Sequence, residues 1–317
     1  MVYREVQVTR EDIEAADQRI AGWIRRTPVI ELERGAFGLP GRLSLKLEQL
    51  QRSGTFKGRG AFNLLLSRSV PEAGVVAASG GNFGAAIAYA AKTLGHHATI
   101  FVPEVTSEAK QAKLRALGAE LIVTGAFYTD ALAASKQRVA ETGALFAHAY
   151  DQFEVVVGAG TCGRELAGQQ PDLDTVLVAT GGGGLIGGIA TWFGGEVRVI
   201  SIESEQTATL ASALAAGEPV DVELGGVAAD ALGATRIGEI GFAAAQRWVD
   251  RALLVSDDAI ITAQHALWDQ LRIASEPASA APLAVLMAGA YVPTADERVC
   301  VLICGANLDP ATLSNGH

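Results

Sequence analysis

The sequence predicts an α/β protein built on doubly wound, mostly parallel sheet. Eight short runs rich in Val, Ile and Leu lack polar alternation, as expected of strands covered on both faces. Ala-rich stretches with helical spacing separate most of these runs, and this strand–helix–strand order favours parallel strands. The length of 317 residues suits either two domains of about 150 residues each or one large α/β unit.

The elements follow one another along most of the chain. The predicted strands are Gly74–Ala78, Ala98–Val102, Leu121–Val123, Leu145–His148, Thr175–Ala179, Arg198–Ile202, Ala252–Val255 and Val299–Ile303. The predicted helices are Ala61–Leu66, Phe83–Leu94, Ser107–Leu117, Asp130–Glu141, a segment opening near Ile186, Asp258–Leu271 and Ala280–Ala290. The segment Glu218–Arg236 has no clear period and is predicted to be a long functional loop.

Composition excludes several classes of protein. Hydrophobic residues make up 49% of the chain, so a sizeable core can form and disorder is excluded as the main state. The net charge of −10, without a basic stripe, argues against a nucleic-acid partner. No stretch approaches the ~20 apolar residues of a membrane span, and the charged N-terminus does not resemble a signal peptide, so we expect a cytoplasmic protein. Cys162, Cys300 and Cys304 follow no metal spacing and predict no disulfide framework.

The first segment that could carry chemistry is Ser53–Ala61, which places Lys57 among glycines at the start of an apolar helix. A lysine in a crowded, partly apolar setting is disfavoured as a cation, so we expect its pKa to fall toward the nucleophilic range. The same residues are compatible with a surface lysine in a turn. From this segment alone both interpretations stand.

Two glycine clusters follow predicted strands and open predicted helices: Ser79–Gly84 and Gly181–Leu185. Glycines in such places let backbone N–H groups approach an anion, and the following helix dipole favours negative charge. The first cluster is equally typical of an ordinary turn. In the second, four consecutive glycines favour a phosphate loop. Gly182, Gly184 and Gly187 also match the dinucleotide pattern G-x-G-x-x-G, but no comparable loop is available for a second nucleotide half.

A fourth segment, Cys304-Gly305-Ala306-Asn307, ends the last predicted strand. A cysteine at the end of a buried strand most often serves packing. The carboxyl edge of a parallel sheet is nevertheless where ligands bind. The sequence leaves both interpretations open for Cys304.

Together the four segments resemble the motifs of the tryptophan-synthase-like (fold type II) pyridoxal-phosphate enzymes, in the serine/threonine dehydratase and serine racemase branch. SGTFKGRGA resembles the cofactor-lysine motif, SGGN the substrate-carboxylate loop, GGGGL the phosphate loop and CGAN the motif that closes on the cofactor ring. GAGT at Gly158–Thr161 and EPAS at Glu276–Ser279 are further matches. The correspondence runs in order from about Thr27 to Asn307, which is nearly the whole chain.

The resemblance implies two doubly wound, mostly parallel-sheet domains with the cofactor cleft between them. The large cofactor-binding domain would comprise residues 1–72 and 150–317, and the small mobile domain residues 73–149. A homodimer is also implied, in keeping with two-fold symmetry being the commonest closed assembly.

The resemblance further implies a role for each motif residue. Lys57 is expected to hold pyridoxal 5'-phosphate covalently and to remove the substrate Cα proton. The cofactor-binding residues would be Phe56, Lys57, Asn82, Gly181, Gly182, Gly183, Gly184, Leu185, Glu276 and Cys304. The substrate carboxylate would be bound by Ser79, Gly80, Gly81 and Asn82. Cys304 would face the ring nitrogen, where a neutral thiol makes the ring a weaker electron sink, which suits β-elimination better than transamination.

Two departures from the family pattern concern substrate choice. Phe83 stands where many relatives carry histidine, and Tyr150 stands where racemase-like relatives carry asparagine. Because both lie near the expected substrate pocket, serine, threonine and other 3-hydroxy amino acids all remain open as substrates.

A third departure concerns a divalent cation. The racemase branch carries a metal site in which Glu203 would be a ligand, but Thr209 replaces the expected aspartate. Since hard cations prefer several oxygen ligands that include carboxylates, we expect no essential cation, although Glu205 could substitute.

The predicted activity is therefore pyridoxal-phosphate-dependent dehydration and deamination of L-threonine and/or L-serine to a 2-oxo acid and ammonia. The alternatives on the same scaffold are a serine racemase and a dehydratase of 3-hydroxyaspartate or another 3-hydroxy amino acid. Gly80 argues against racemisation, because it has no side chain to serve the second face of the substrate. From other classes, a cofactor-binding protein without turnover and a dinucleotide-binding oxidoreductase are disfavoured.

Overall fold

The computed structural model describes residues 7–313, which fold into strands and helices in alternation. The strands are β1 (Val29–Glu31), β2 (Arg42–Leu47), β3 (Val75–Ala78), β4 (Ala98–Val102), β5 (Glu120–Val123), β6 (Leu145–Ala147), β7 (Thr175–Ala179), β8 (Arg198–Ser204), β9 (Val249–Val255) and β10 (Arg298–Ile303). The helices are α1 (Arg10–Ile20), α2 (Lys57–Ser67), α3 (Asn82–Leu94), α4 (Glu108–Ala116), α5 (Tyr128–Thr142), α6 (Phe153–Gln169), α7 (Gly184–Phe193), α8 (Thr209–Ala216), α9 (Ala229–Leu232), α10 (Glu239–Trp248), α11 (Asp257–Leu271) and α12 (Pro277–Met287). Residues 1–6 and 314–317, which the large-domain and N-terminal predictions include, lie outside the described residues.

The strands form two sheets. The larger sheet has the order β1-β2-β10-β7-β8-β9 and is parallel except for β1, which runs antiparallel to β2. The smaller sheet has the order β5-β4-β3-β6 and is parallel throughout. The prediction of two mostly parallel, helix-covered sheets is thus confirmed. All strands of the smaller sheet lie within residues 73–149, while the division into two domains stays a prediction.

The predicted elements are present, but two strands and four helices of eight or more residues were missed. The prediction overlooked β1, β2, α1, α6, α8 and α10. Strand β2 reads as polar because Arg42, Ser44 and Lys46 alternate with leucines, although only Arg42 is exposed. The segment Glu218–Arg236 is mostly irregular, as predicted, and contains only the one-turn helix α9.

Helix α6 was missed because Gly158, Gly160 and Gly163 make its sequence resemble a loop. These glycines instead let helices approach closely. A Cβ at Gly158 would lie 2.7 Å from the Arg59 carbonyl oxygen in α2, and a Cβ at Gly188 in α7 would lie 2.5 Å from the Gly160 nitrogen. The resulting contact of α2, α6 and α7 fixes the start of α2, which is Lys57.

A buried group of charged side chains also holds α2 in place. Arg59 donates to both carboxylate oxygens of Glu48, at 2.8 and 2.7 Å, and to Glu165 at 3.0 Å. Lys46 pairs with Glu165 and donates to the Thr27 carbonyl oxygen at 2.9 Å. Burial alone would raise the pKa of Glu48, but Arg59 and Lys46 hold it below its ordinary value. Two cations thus balance two carboxylates in the interior. One of the cations, Arg59, lies only two residues after Lys57.

The remaining features agree with the composition. Cys162, Cys300 and Cys304 are buried free thiols. Among the helices within residues 7–313, none is long and apolar enough to cross a membrane.

Candidate active site

A cleft forms where the segments after β3, β7 and β10 meet. These strand ends are the carboxyl edges of the two sheets, which is where α/β proteins bind ligands. The cleft is lined by all the predicted cofactor-binding residues, namely Phe56, Lys57, Asn82, Gly181, Gly182, Gly183, Gly184, Leu185, Glu276 and Cys304. The structure therefore brings together residues that are more than 240 positions apart in sequence.

Lys57 begins helix α2 inside this cleft rather than lying in a surface turn. Its Nζ donates to the Ala149 carbonyl oxygen at 2.9 Å, and the ring centres of Phe56 and Phe83 lie 5.0 and 5.8 Å away. Burial lowers the pKa of Lys57 to about 8, against the opposing influence of Cys304 and Glu276. At pH 7 roughly a tenth of the amine is therefore neutral and nucleophilic, far more than for a lysine with an ordinary pKa.

The glycine loop after β7 presents free backbone donors. Among the described residues, the N–H groups of Gly181–Leu185 have no hydrogen-bond acceptor, and they precede or open helix α7. Side chains are excluded there, because a Cβ at Gly182 would lie 2.2 Å from the Tyr150 ring. A Cβ at Gly181 would lie 2.9 Å from the Leu232 Cα. Adjacent free N–H groups at a helix N-terminus form an anion cradle.

A second cradle lies at the start of helix α3. The N–H groups of Gly80, Gly81, Asn82 and Phe83 also lack an acceptor within the described part of the chain. Gly80, Gly81 and Asn82 line a mouth that adjoins the main cleft. The Ser79 N–H, by contrast, donates to the Phe101 carbonyl oxygen, which anchors the loop to β4. The geometry suits a carboxylate held by backbone donors.

Asn82 lies between two partners whose positions the sequence did not predict. Its Nδ2 donates to Glu276 Oε1 and Oε2 at 2.8 and 3.1 Å. Its Oδ1 accepts from Asn307 Nδ2 at 2.6 Å. Burial raises the pKa of Glu276, and the hydrogen bond from Asn82 opposes that rise. Since an amide nitrogen carries two hydrogens, Asn82 keeps one donor for a ligand in the cleft.

Cys304 is held as a neutral thiol. Its Sγ lies 3.0 Å from the Ser279 hydroxyl, which accepts a hydrogen bond from the Gly305 N–H at 2.8 Å. Burial raises the pKa of Cys304 to about 12. The Cys304 carbonyl oxygen accepts from the Phe56 N–H at 3.0 Å, which ties the two motifs together. Cys304 thus lines the cleft, and its role toward a cofactor stays a prediction.

Tyr150 lines the cleft that holds Lys57, and His148 contacts the Tyr150 ring. The Tyr150 ring covers Gly182, and its centre lies 4.8 Å from that of His148 in an edge-on arrangement. His148 Nδ1 accepts from the Asp151 N–H at 3.0 Å, which leaves Nε2 as the protonated nitrogen of the neutral ring. Sequence reasoning singled out Tyr150 but missed His148 and the Ala149 carbonyl oxygen. The backbone acceptor has no signal in the sequence.

Glu203, the candidate metal ligand, does not line this cleft. Its carboxylate accepts from the Leu210 and Ala211 N–H groups, both at 2.8 Å, and so caps helix α8. Thr209 Oγ1 lies 3.0 Å from the same carboxylate. No group of three or more His, Cys, Asp or Glu side chains suited to a metal is found among residues 7–313. The metal role of Glu203 stays a prediction.

Comparisons with known proteins agree with this geometry. A family model described as "Pyridoxal-phosphate dependent enzyme" matches residues 20–305. The chain is 36% identical over 307 residues to an L-threonine ammonia-lyase of Geobacter sulfurreducens, covering 95% of this chain and 76% of that protein. It is 36% identical over 302 residues to a phenylserine dehydratase of Ralstonia pickettii, covering 93% and 92%. The solved structure of maize serine racemase matches with a TM-score of 0.91 at 30% identity, covering 97% and 96%.

Proposed function

The chain belongs to the family of pyridoxal-phosphate dependent enzymes, and on that premise we propose that it is an ammonia-lyase acting on L-threonine and/or L-serine. The products would be a 2-oxo acid and ammonia, and the overall reaction neither consumes nor releases water. The relatives named an L-threonine ammonia-lyase and a phenylserine dehydratase support elimination from a 3-hydroxy amino acid. The observation that carries the proposal is one cleft that combines the Lys57 amine with two cradles of free backbone N–H groups.

The residues present fit pyridoxal phosphate on chemical grounds. The Lys57 amine has a pKa of about 8 and can form a covalent bond to an aldehyde carbon. The donors of Gly181–Leu185 suit a phosphate group, and the spare Asn82 N–H suits a ring oxygen. Phe56 offers a flat apolar surface beside Lys57. We accordingly assign these residues to the cofactor.

Pyridoxal phosphate supplies an electron-withdrawing ring that accepts the electron pair left when the substrate Cα–H bond breaks. In the proposed reaction Lys57 Nζ takes the Cα proton, and the backbone donors of Gly80–Phe83 hold the substrate carboxylate. The Cβ–O bond then breaks, and the hydroxyl leaves as water with the proton that Lys57 took from Cα, so that the amine is neutral again. The released enamine is hydrolysed by one water to the 2-oxo acid and ammonia. This step consumes one water, which balances the one released by elimination.

The neutral thiol of Cys304 supports elimination over transamination. A pKa of about 12 means that Cys304 carries no negative charge at physiological pH. A neutral thiol does not hold a proton on a ring nitrogen as a carboxylate would, so electrons are stored poorly in the ring. Elimination tolerates this, because the electron pair from the Cα–H bond forms the Cα–Cβ double bond as the hydroxyl leaves with the electrons of the Cβ–O bond.

The proposal is tested by incubating the purified holoenzyme separately with L-threonine, L-serine and phenylserine. The expected result is 2-oxo acid and ammonia in a 1:1 ratio from L-threonine or L-serine. Phenylserine is included because the departures at Phe83 and Tyr150 leave the identity of the substrate side chain undecided. Absence of ammonia release from all three amino acids would refute the ammonia-lyase assignment. We also propose a homodimer and the division into two domains. The mass in solution tests the homodimer, and limited proteolysis tests the domain division.

Racemisation is the second candidate, because serine racemase is among the similar structures. It requires a side-chain acid on the face opposite Lys57, and Gly80 supplies none. We therefore expect pyruvate to form from L-serine at least ten times faster than D-serine, as measured by chiral chromatography. D-serine accumulating as fast as pyruvate would contradict this.

The neighbourhood of Gly80 also predicts how a serine there would behave. Gly80 is not in the left-handed region, so backbone strain does not oppose the change. A Cβ would instead lie 2.9 Å from Thr106 Cγ2, which must shift. The introduced hydroxyl is therefore best tested in Gly80→Ser combined with Thr106→Ser.

Removing divalent cations is expected to have little effect on elimination. The carboxylate of Glu203 is already engaged by the N–H groups of Leu210 and Ala211, and Thr209 supplies no second carboxylate. Activity with excess chelator should stay within about two-fold of the untreated value, since fewer carboxylates mean weaker cation binding. A large loss that magnesium restores would contradict the expectation.

A further inference from the structure

Four side chains form a continuous hydrogen-bonded row from the protein surface into the cleft. Lys113 on α4 donates to Asn307 Oδ1 at 2.5 Å, and Asn307 Nδ2 donates to Asn82 Oδ1 at 2.6 Å. Asn82 Nδ2 in turn donates to Glu276 at 2.8 and 3.1 Å. We call these four residues the amide row. It connects a helix beside the smaller sheet to the segment that follows β10 in the larger one.

The two ends of the amide row dictate the direction of both amides between them. The Lys113 ammonium can only donate, so it requires the oxygen of Asn307 to face it. Glu276 offers an acceptor oxygen in either protonation state, so it requires the nitrogen of Asn82. Turning over either amide would place two oxygens or two N–H groups face to face. Both ends therefore favour the same orientation of Asn82.

The amide row is built into the backbone of two motifs. A Cβ at Gly54, whose φ is +79°, would lie 2.6 Å from Asn307 Oδ1. A Cβ at Gly305 would lie 2.5 Å from Glu276 Oε1. These glycines let the amide and the carboxylate pass directly against the main chain. The glycines of SGTFK and CGAN thus serve the amide row and not phosphate binding.

We propose that Lys113 is a positioning residue which, through Asn307, orients the Asn82 amide so that its spare N–H faces the cofactor ring oxygen. This inference rests on the proposed function, because it assumes pyridoxal phosphate in the cleft. Lys113 does not line the main cleft, but it lines the adjoining mouth together with Gly80 and Gly81. Its side chain reaches Asn82 through the hydrogen bond to Asn307. If the Asn82 amide turned over, its oxygen would face both Glu276 and the ring oxygen, and cofactor binding would weaken.

The first test uses a graded series at position 113 and the dissociation constant of pyridoxal phosphate for the cofactor-free protein. Lys113→Arg keeps a donor-only end and should stay within about two-fold of wild type. Lys113→Met removes the donor at the surface end of the amide row. It should weaken cofactor binding by roughly three- to ten-fold, the size expected for one charge-assisted hydrogen bond near the surface. Lys113→Glu reverses the end from donor to acceptor, and it should weaken binding further and shift the visible absorbance band.

The matched control is Arg115→Glu, which makes the same charge change on the same helix. Within residues 7–313 the Arg115 guanidinium donates hydrogen bonds only to Glu108 and Gln111 on α4, so it does not join the amide row. It should leave the dissociation constant within about two-fold of wild type. An effect as large as that of Lys113→Glu would show that general electrostatics, not amide orientation, is responsible.

The second test is a double-mutant cycle. In an Asn307→Ala background, Lys113→Met should cause no further loss of affinity, because its route to Asn82 has already been removed. Asn307→Ser serves instead if the alanine variant does not fold. Additive losses, or an unchanged dissociation constant in Lys113→Met, would overturn the inference. Failure of wild type to bind pyridoxal phosphate would refute the proposed function instead, so the two failures are distinguishable.

Discussion

Lys57→Ala is expected to lose the visible absorbance of bound cofactor and to reduce elimination to the background level, while the protein stays folded. The reason is that Lys57 supplies both the covalent attachment and the acceptor of the Cα proton in the proposed reaction. Its side chain lies in the cleft and makes its hydrogen bond to a backbone oxygen, so alanine removes no buried ion pair. Absorbance spectra and ammonia release from L-threonine measure the two effects.

Two further variants sharpen this result. Lys57→Arg should be equally inactive, since a guanidinium does not deprotonate to form a covalent bond with the cofactor aldehyde. Lys92→Ala is the control, because Lys92 lies on the exposed side of α3 and contacts the Ala116 carbonyl oxygen. It should keep full activity. Turnover retained in Lys57→Ala would show that another base removes the proton.

Arg59→Met is expected to destabilise the protein by about 3–5 kcal/mol, the cost of leaving a buried carboxylate without its cation. Arg59 and Glu48 are both completely buried, so water does not replace the lost hydrogen bonds. The midpoint of thermal unfolding should fall by ~5 °C or more for a chain of this length. Calorimetry or circular dichroism of the holoenzyme measures the change.

The charge balance among Lys46, Glu48, Arg59 and Glu165 provides the control. In Arg59→Met/Glu48→Gln the buried group is again neutral, so a large part of the lost stability should return. Arg34→Met removes an exposed pair with Asp296 and an exposed hydrogen bond to the Ala295 carbonyl oxygen, and it should change stability by less than about 1 kcal/mol. Equal effects for Arg34→Met and Arg59→Met would show that the buried group does not stabilise α2.

The fold was predictable to the extent that hydrophobic patterns report burial. Strands β4 and β7 were predicted with their observed ends, because both consist of small, branched and aromatic residues that are buried on both faces. Strand β2 was missed because Lys46 is fully buried and satisfied by Glu165, an ion pair that no local pattern reveals. Helix α6 was missed because its glycines serve contacts with α2 and α7, which lie far away in the sequence.

The candidate site was predictable where a motif is contiguous. Lys57, the Gly181–Leu185 loop and Cys304 were each singled out from their own segment, and the structure places them in one cleft. Partners that depend on the tertiary fold were not predictable. Lys113 and Asn307 are 194 positions apart, and neither residue type signals the other. At Gly80, crowding by Thr106 rather than a positive φ limits substitution, and this contact likewise has no signal in the sequence.

The most direct test of the central claim is to locate the cofactor on the chain. The holoenzyme is reduced with borohydride, digested with trypsin and analysed by mass spectrometry. We expect the added mass of reduced pyridoxal phosphate on the fragment Ser53–Arg59, at Lys57, with no cleavage after that residue. The cofactor on Lys46, Lys110 or Lys113, or no covalent cofactor in a protein that still releases ammonia from L-threonine, would contradict it.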